Sequence, residues 1–188
     1  GGTGGVYGRS IAVDSNGGIY VTGDYGTSAT FGSTTLSGGG SAPDIFVAKL
    51  NQTGSWQWAI KAGSSGADLG LSIDVDANGN SYVTGRYTGA PTFGTITLSS
   101  SGSSTDIFVA KVNSTGSWEW ATKAGGPNGD QGLEIAINSV GDCFVTGRFD
   151  GGTVYFGNFS ITGSGGIDMF VAKISSTGQW SWVSGVSS

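Results

Sequence analysis

Few side chains in this sequence are suited to chemistry, and those few recur at a fixed spacing. The 188 residues contain no histidine. That removes Ser-His-Asp and Cys-His catalysis and the common zinc sites. No glycine-rich run ends in Gly-Lys-Ser/Thr ahead of a helix, so the backbone cradle that holds a phosphate is missing. Asp14-Ser15-Asn16-Gly17 and Asp76-Ala77-Asn78-Gly79 resemble the start of a calcium loop. They lack the distal glutamate and the full spacing, and hairpin-turn chemistry accounts for them. Asp44, Asp106 and Asp168 each precede an apolar run, and Lys49, Lys111 and Lys173 each close one. The plain expectation is a carboxylate that accepts backbone N–H groups and a lysine that is solvated or paired. The sharper one is an ion or ligand site repeated around a ring. No organic cofactor is expected, and calcium, if bound, belongs at Asp14, Asp76 or the aspartates before the apolar run.

A second set of candidates is aromatic. Tyr25, Tyr87 and Phe149 follow equivalent strands, with Arg86 and Arg148 beside the last two. Rings exposed in loops stack on sugar faces, so these five residues are the candidate ligand-binding loops. Packing of the rings against the strands is the alternative. The single cysteine, Cys143, has Ile19 and Ser81 as its counterparts, so the position reads as a small strand residue, and no intrachain disulfide is possible. Asn51, Asn113 and Asn158 fit a glycosylation sequon, but the first two fall where a turn wants asparagine anyway.

The spacing comes from an internal repeat. Val21-Thr22-Gly23 returns at 83–85 and 145–147, Phe46-Val47-Ala48-Lys49 at 108–111 and 170–173, and Trp56 and Trp58 at 118/120 and 180/182. The period is 62, dividing the chain into 1–62, 63–124 and 125–188. Phe31-Gly32 returns at 93–94 and, one residue late, at 156–157, which locates the variation in a loop. Each copy reads as four strands, near 10–14, 19–23, 45–50 and 55–61 in the first, here called A to D. Asn-Gly turns join A to B and Asn-x-Thr-Gly joins C to D. Residues 29–36 suggest an extra mini-hairpin around Gly32. No segment keeps a 3.6-residue apolar period, so helix is not expected.

Strand C is apolar on both faces (Ile45, Phe46, Val47, Ala48), and must be covered on both. Strand D alternates, with Trp56, Trp58 and Ile60 on one face and Ser55, Gln57 and Ala59 on the other. A buried tryptophan removes ~150–250 Å² from water, ~4–6 kcal/mol before entropy, so the six tryptophans are expected to dominate contacts between copies. Sheets sandwiched between copies of themselves are the logic of a propeller.

The string 76–85 (Asp-Ala-Asn-Gly-Asn-Ser-Tyr-Val-Thr-Gly), followed by Thr92-Phe93-Gly94, Asp106–Lys111 and Gly116–Ala121, resembles the bacterial β-propeller (SBBP) repeat across all three copies. The resemblance implies an all-β chain of three four-stranded blades in a secreted or cell-surface bacterial protein, with no catalytic residues to carry over. The third copy departs from it: Asn138 stands where Asp14 and Asp76 stand, and Ser184-Gly185-Val186 replaces Ile60-Lys61-Ala62. Propellers close with roughly 4–8 blades, so three blades require either other copies of the chain or a longer parent chain. A β-prism or β-trefoil with internal threefold symmetry is the alternative.

Charge is sparse, at 11% of residues, and the net charge is −5. That gives nucleic acid no basic footprint and a membrane no polybasic patch. No apolar run is long enough for a spanning helix. The expected partners are copies of the chain itself, other surface proteins, or glycans. The functional expectation is a structural or interaction module, with a lectin bearing one shallow site per repeat as the alternative.

Overall fold

The computed structural model describes residues 4–38, 40, 42–102 and 104–186. Every regular element among them is a β-strand. The first unit contains β1 (Val6–Val13), β2 (Ile19–Tyr25), β3 (Ser28–Phe31), β4 (Thr34–Ser37), β5 (Asp44–Leu50) and β6 (Trp56–Gly63). The second has β7 (Leu69–Val75), β8 (Ser81–Tyr87), β9 (Thr92–Phe93), β10 (Ile96–Thr97), β11 (Asp106–Val112) and β12 (Trp118–Ala124). The third has β13 (Asp130–Ile137), β14 (Cys143–Phe156), β15 (Phe159–Ile174) and β16 (Trp180–Val186). In each unit strands A, B, C and D form an antiparallel four-stranded sheet in that order, β1-β2-β5-β6, β7-β8-β11-β12 and β13-β14-β15-β16. Strand A begins at Val6, earlier than the expected Ser10.

The expected mini-hairpin exists and differs in every unit. It is β3–β4 in the first and β9–β10 in the second. In the third it is the outer half of β14 and β15, whose pairing runs from Cys143↔Ile174 to Phe156↔Phe159. The one-residue slip at Phe156 lies in these arms, whose register breaks at Asp150/Gly152.

Strand D corrects the sequence-based picture. Opposite it the register steps from Lys49↔Trp58 to Leu50↔Trp56, so Gln57 is an extra residue. The same break recurs at Lys111/Val112 and Lys173/Ile174. A bulge inserts one residue and reverses the alternation beyond it. The two tryptophans of each strand D therefore face opposite ways, not the same way. Nor is any of the six fully buried: four are half-buried, and Trp56 and Trp182 are exposed.

The buried mass is instead Phe, Tyr, Ile and Val. Ile45 and Val47 of the first unit share a core with Ile73, Val83, Tyr87, Phe93 and Phe108 of the second. Ile107 and Val109 of the second share the next with Ile135, Val145, Phe149, Phe156 and Phe170 of the third. Strand C is thus covered on both faces, as its composition requires: Phe46, Val47, Phe108, Val109 and Phe170 are buried. Val171, at the outer face of the last unit, is half-buried.

Candidate functional site at the junctions between units

Because cores form between sheets, the junctions gather the polar side chains too. The first tryptophan of strand D reaches back: Trp118 Nε1 donates to the Lys61 carbonyl at 3.0 Å and Trp180 Nε1 to Lys123 at 2.9 Å. The second reaches forward: Trp58 Nε1 donates to the Ser114 carbonyl at 3.3 Å and Trp120 Nε1 to Ser176 at 3.2 Å. Each forward indole lies on a glycine of the next C–D turn. A Cβ at Gly116 would stand 2.8 Å from the Trp58 ring, and one at Gly178 2.9 Å from Trp120. Both glycines have φ near +80°, so glycine is required there by conformation and by space.

The mini-hairpins seal the outer end of each junction. Ala62 pairs with Phe93 and Gly63 with Thr92, which ties the second hairpin to the first strand D. Gly125 bridges Tyr155 in the same way. Between hairpin and strand D lie two clefts, ≈ 390 Å³ at the first junction, lined by Asp44, Lys61 and Thr92, and ≈ 430 Å³ at the second, lined by Lys123, Tyr155 and Asn158.

Asp44 and Asp106 are buried at these places, and Asp168 is buried in the last unit beside Met169 and Val186. The Asp106 carboxylate accepts the Ser101 N–H at 2.5 Å, as the backbone-accepting expectation has it. Its Oδ1 fills the space a Cβ would need at Gly125, as Asp44 does at Gly63. Sequence reasoning missed their neighbours, Asp68 and Asp130, which are fully buried. Burial raises Asp68 to about 6 against the hydrogen bonds of Ser64 and Thr88, with Asp44 adding repulsion. Burial likewise raises Asp130 to about 7 against the Gly126 N–H, with Asp106 and Asp150 adding to it. Their 62-residue spacing was a usable signal, but Val6 breaks it in the first copy. Among the described residues no three acidic, histidine or cysteine side chains converge as a metal site would require.

The turn aspartates cap their own hairpins. Asp14 Oδ1 accepts the N–H groups of Asn16 and Gly18 at 2.9 and 2.8 Å, and Oδ2 accepts the Tyr20 hydroxyl. Burial works against this carboxylate, but those bonds and Lys49 outweigh it and hold its pKa low. Asp76 repeats the arrangement, and Asn138 keeps it through its amide oxygen. Tyr20 also reaches the Gly79 carbonyl of the next unit at 3.1 Å. Lys49, Lys111 and Lys173 pair with Asp14, Glu119 and Asp142.

Tyr25, Tyr87 and Phe149 are buried. Their rings offer no open face on which a sugar could stack, which matches the packing alternative. Arg86 and Arg148 are brought together by a residue the sequence did not single out. With the Gln131 amide oxygen facing them, Arg86 Nη1 donates to it at 2.9 Å and Arg148 Nη2 at 3.1 Å. Cys143 is buried, and burial pushes its thiol up to about 12. Among the described residues there is no helix long and apolar enough to cross a membrane.

Residues 1–24 match the family model described as Beta-propeller repeat, SBBP. The chain is 28% identical over 176 residues to Regulatory protein FlaEY of Caulobacter vibrioides, covering 91% of this chain and 18% of that protein. It is 29% identical over 183 residues to the uncharacterized WD repeat-containing protein L264 of Acanthamoeba polyphaga mimivirus, covering 83% of this chain and 13% of that one. The chain thus spans less than a fifth of either relative. A crystal structure of a protein of unknown function from Bacteroides caccae aligns with 97% of this chain and 46% of its own, at a TM-score of 0.46 and 14% identity.

Proposed function

We propose that this chain, whose residues 1–24 match the SBBP β-propeller repeat, works as a non-catalytic interaction module, secreted or displayed on a bacterial cell surface. The observation that carries this is a division of labour within each unit. Strands A to D keep one register in all three copies, bulges included, while the mini-hairpin changes from four-residue strands to two-residue strands to long arms. A constant frame with changing loops is how binding surfaces are built on rigid scaffolds. The names of the two relatives, one regulatory and one a WD repeat protein, support an interaction role. The proposed role needs neither a cofactor nor a metal.

A carbohydrate-binding reading retains one specific support, the Arg86–Gln131–Arg148 group. Its two guanidiniums converge on a neutral amide, and neither is in an ion pair with a carboxylate among the described residues. A glycan array probed with the labelled chain tests the two. The module reading expects no glycan above background at micromolar concentration. Retention of one glycan class, lost in Arg148→Ala, would replace it with the lectin.

A further inference from the structure

We propose that the hairpin of the third unit takes up an extended segment of a partner polypeptide, which adds as one more strand along β15 at Ser160 and Thr162. The inference deepens the module reading and rests on it.

Backbone geometry fixes which groups face that edge. Gly125 and Tyr155 exchange two backbone hydrogen bonds of 3.1 Å, so the Tyr155 N–H and C=O point away from β15. In an antiparallel ladder, opposed residues alternate between exchanging both bonds and exchanging none. Tyr155 lies opposite Ser160, and Thr153 opposite Thr162. Ser160 and Thr162 therefore also turn their N–H and C=O groups away from β14. β16 pairs with β15 only from Met169 to Ile174. No described strand meets these groups, and both residues are exposed.

The first two units show the same edge closed. Ser37, Ser99 and Thr162 hold one position, each six residues after Phe31, Phe93 or Phe156. Lys61 Nζ donates to the Ser37 carbonyl, and Lys123 Nζ to the Ser99 carbonyl. Lysine on an edge is one of the devices by which natural sheets keep foreign strands off. The matching residue of the third strand D is Gly185, so that cap is lost at Thr162. The edge segment Phe159–Gly163 carries no charge of its own.

A following repeat would not close this edge with a strand. β10 lies in the middle unit, with a unit on each side, and pairs only with β9. Thr97, the counterpart of Ser160, is exposed there. Donors and acceptors repeated at every second residue of an extended edge match another extended backbone, which is recognition by strand addition. The uncharged edge beside half-buried Ile161 suits a segment of β-branched and apolar residues.

A displayed library of random short peptides, selected against the full chain, tests this. The enriched peptides should be uncharged β-formers that slow amide exchange at Ser160 and Thr162 about 10-fold or more. Thr162→Pro removes only an outward N–H, so the hairpin should persist and the melting temperature hold. Gly185→Lys restores the cap of the other two units. Each substitution should weaken the selected peptides about 10-fold or more. No enrichment, protection confined to other amides, or binding indifferent to both substitutions would each overturn strand addition at this edge. Peptides that bind elsewhere would leave the module reading standing, and the glycan array judges that reading separately.

Discussion

Ile73 and Ile11 hold the same place in successive units and differ in what stands behind them. One is sealed under the preceding sheet, and the other faces open space. The same contrast separates Gly116 from Gly54 and Trp120 from Trp182. What it teaches is that a unit has no core of its own on its forward side. The forward face of one sheet and the back face of the next make a single hydrophobic layer, so stability resides in the junctions more than in the sheets. The first unit's back face escapes in part, because β3–β4 folds over it and covers Tyr25, Phe46 and Ala48.

The contrast can be broken with substitutions at paired positions, measured by thermal melting of dilute chain. Ile73→Asp places a charge in a closed apolar layer and should cost several kcal/mol, enough to lower the melting temperature by more than about 10 °C or to prevent soluble folding. Ile11→Asp should move it by no more than a few degrees. Equal losses at both would show that the sheets, and not the junctions, hold the fold.

A smaller separation is expected between Gly116→Ala and Gly54→Ala. Both put a Cβ on a positive-φ residue, at about 1 kcal/mol. Only the first also drives it into the Trp58 ring, which should add about 1–3 kcal/mol. Denaturant midpoints for the two variants would measure the difference directly.

The titration of the buried junction acid sharpens the contrast between junction and turn. Asp130 has a folded pKa raised to about 7, above its unfolded value. Its ionisation therefore opposes folding as pH rises from about 4, and the penalty is complete above 7. Acidifying from pH 8 to 5.5 should raise the melting temperature by a few degrees, and Asp130→Asn should flatten that rise. Asp14 and Asp76 act oppositely, since their folded pKa values are held low. Their contribution is lost as pH falls below about 4. A melting temperature that falls steadily from pH 8 to 5.5 would contradict the assignment. The smallest signal belongs to Cys143, whose thiol should stay unlabelled by a maleimide at pH 7.5 until the third unit opens.

Much of this architecture was legible in the residues. The 62-residue period, the Asn-Gly turns and the two-faced apolarity of strand C are local features, and they specify strands, hairpins and burial. The bulge at Gln57 was not legible, because Trp-Gln-Trp reads as plain alternation and an inserted residue leaves no trace in composition. That residue, repeated in each strand D, makes clasps reaching both ways of four supposed core indoles, Trp58, Trp118, Trp120 and Trp180. Tyr25, Tyr87 and Phe149 looked like loop aromatics because they end strand B, yet the hairpin that follows folds over them. Asp68 and Asp130 sit among Ser and Gly, where a carboxylate ordinarily meets water. Arg86 and Arg148 are 62 positions apart, and only the strand pairing that sets Gln131 opposite Arg148 brings them to one acceptor.

The forward-reaching indole has one more consequence, for how such genes change length. Trp58 and Trp120 each meet a backbone carbonyl and a bare glycine one repeat on. A crossover that deletes or duplicates a whole 62-residue segment therefore presents every indole with an equivalent acceptor. A break at any other phase strands an indole and splits an apolar layer. Length in such a repeat array is thus free to drift, but only in whole steps.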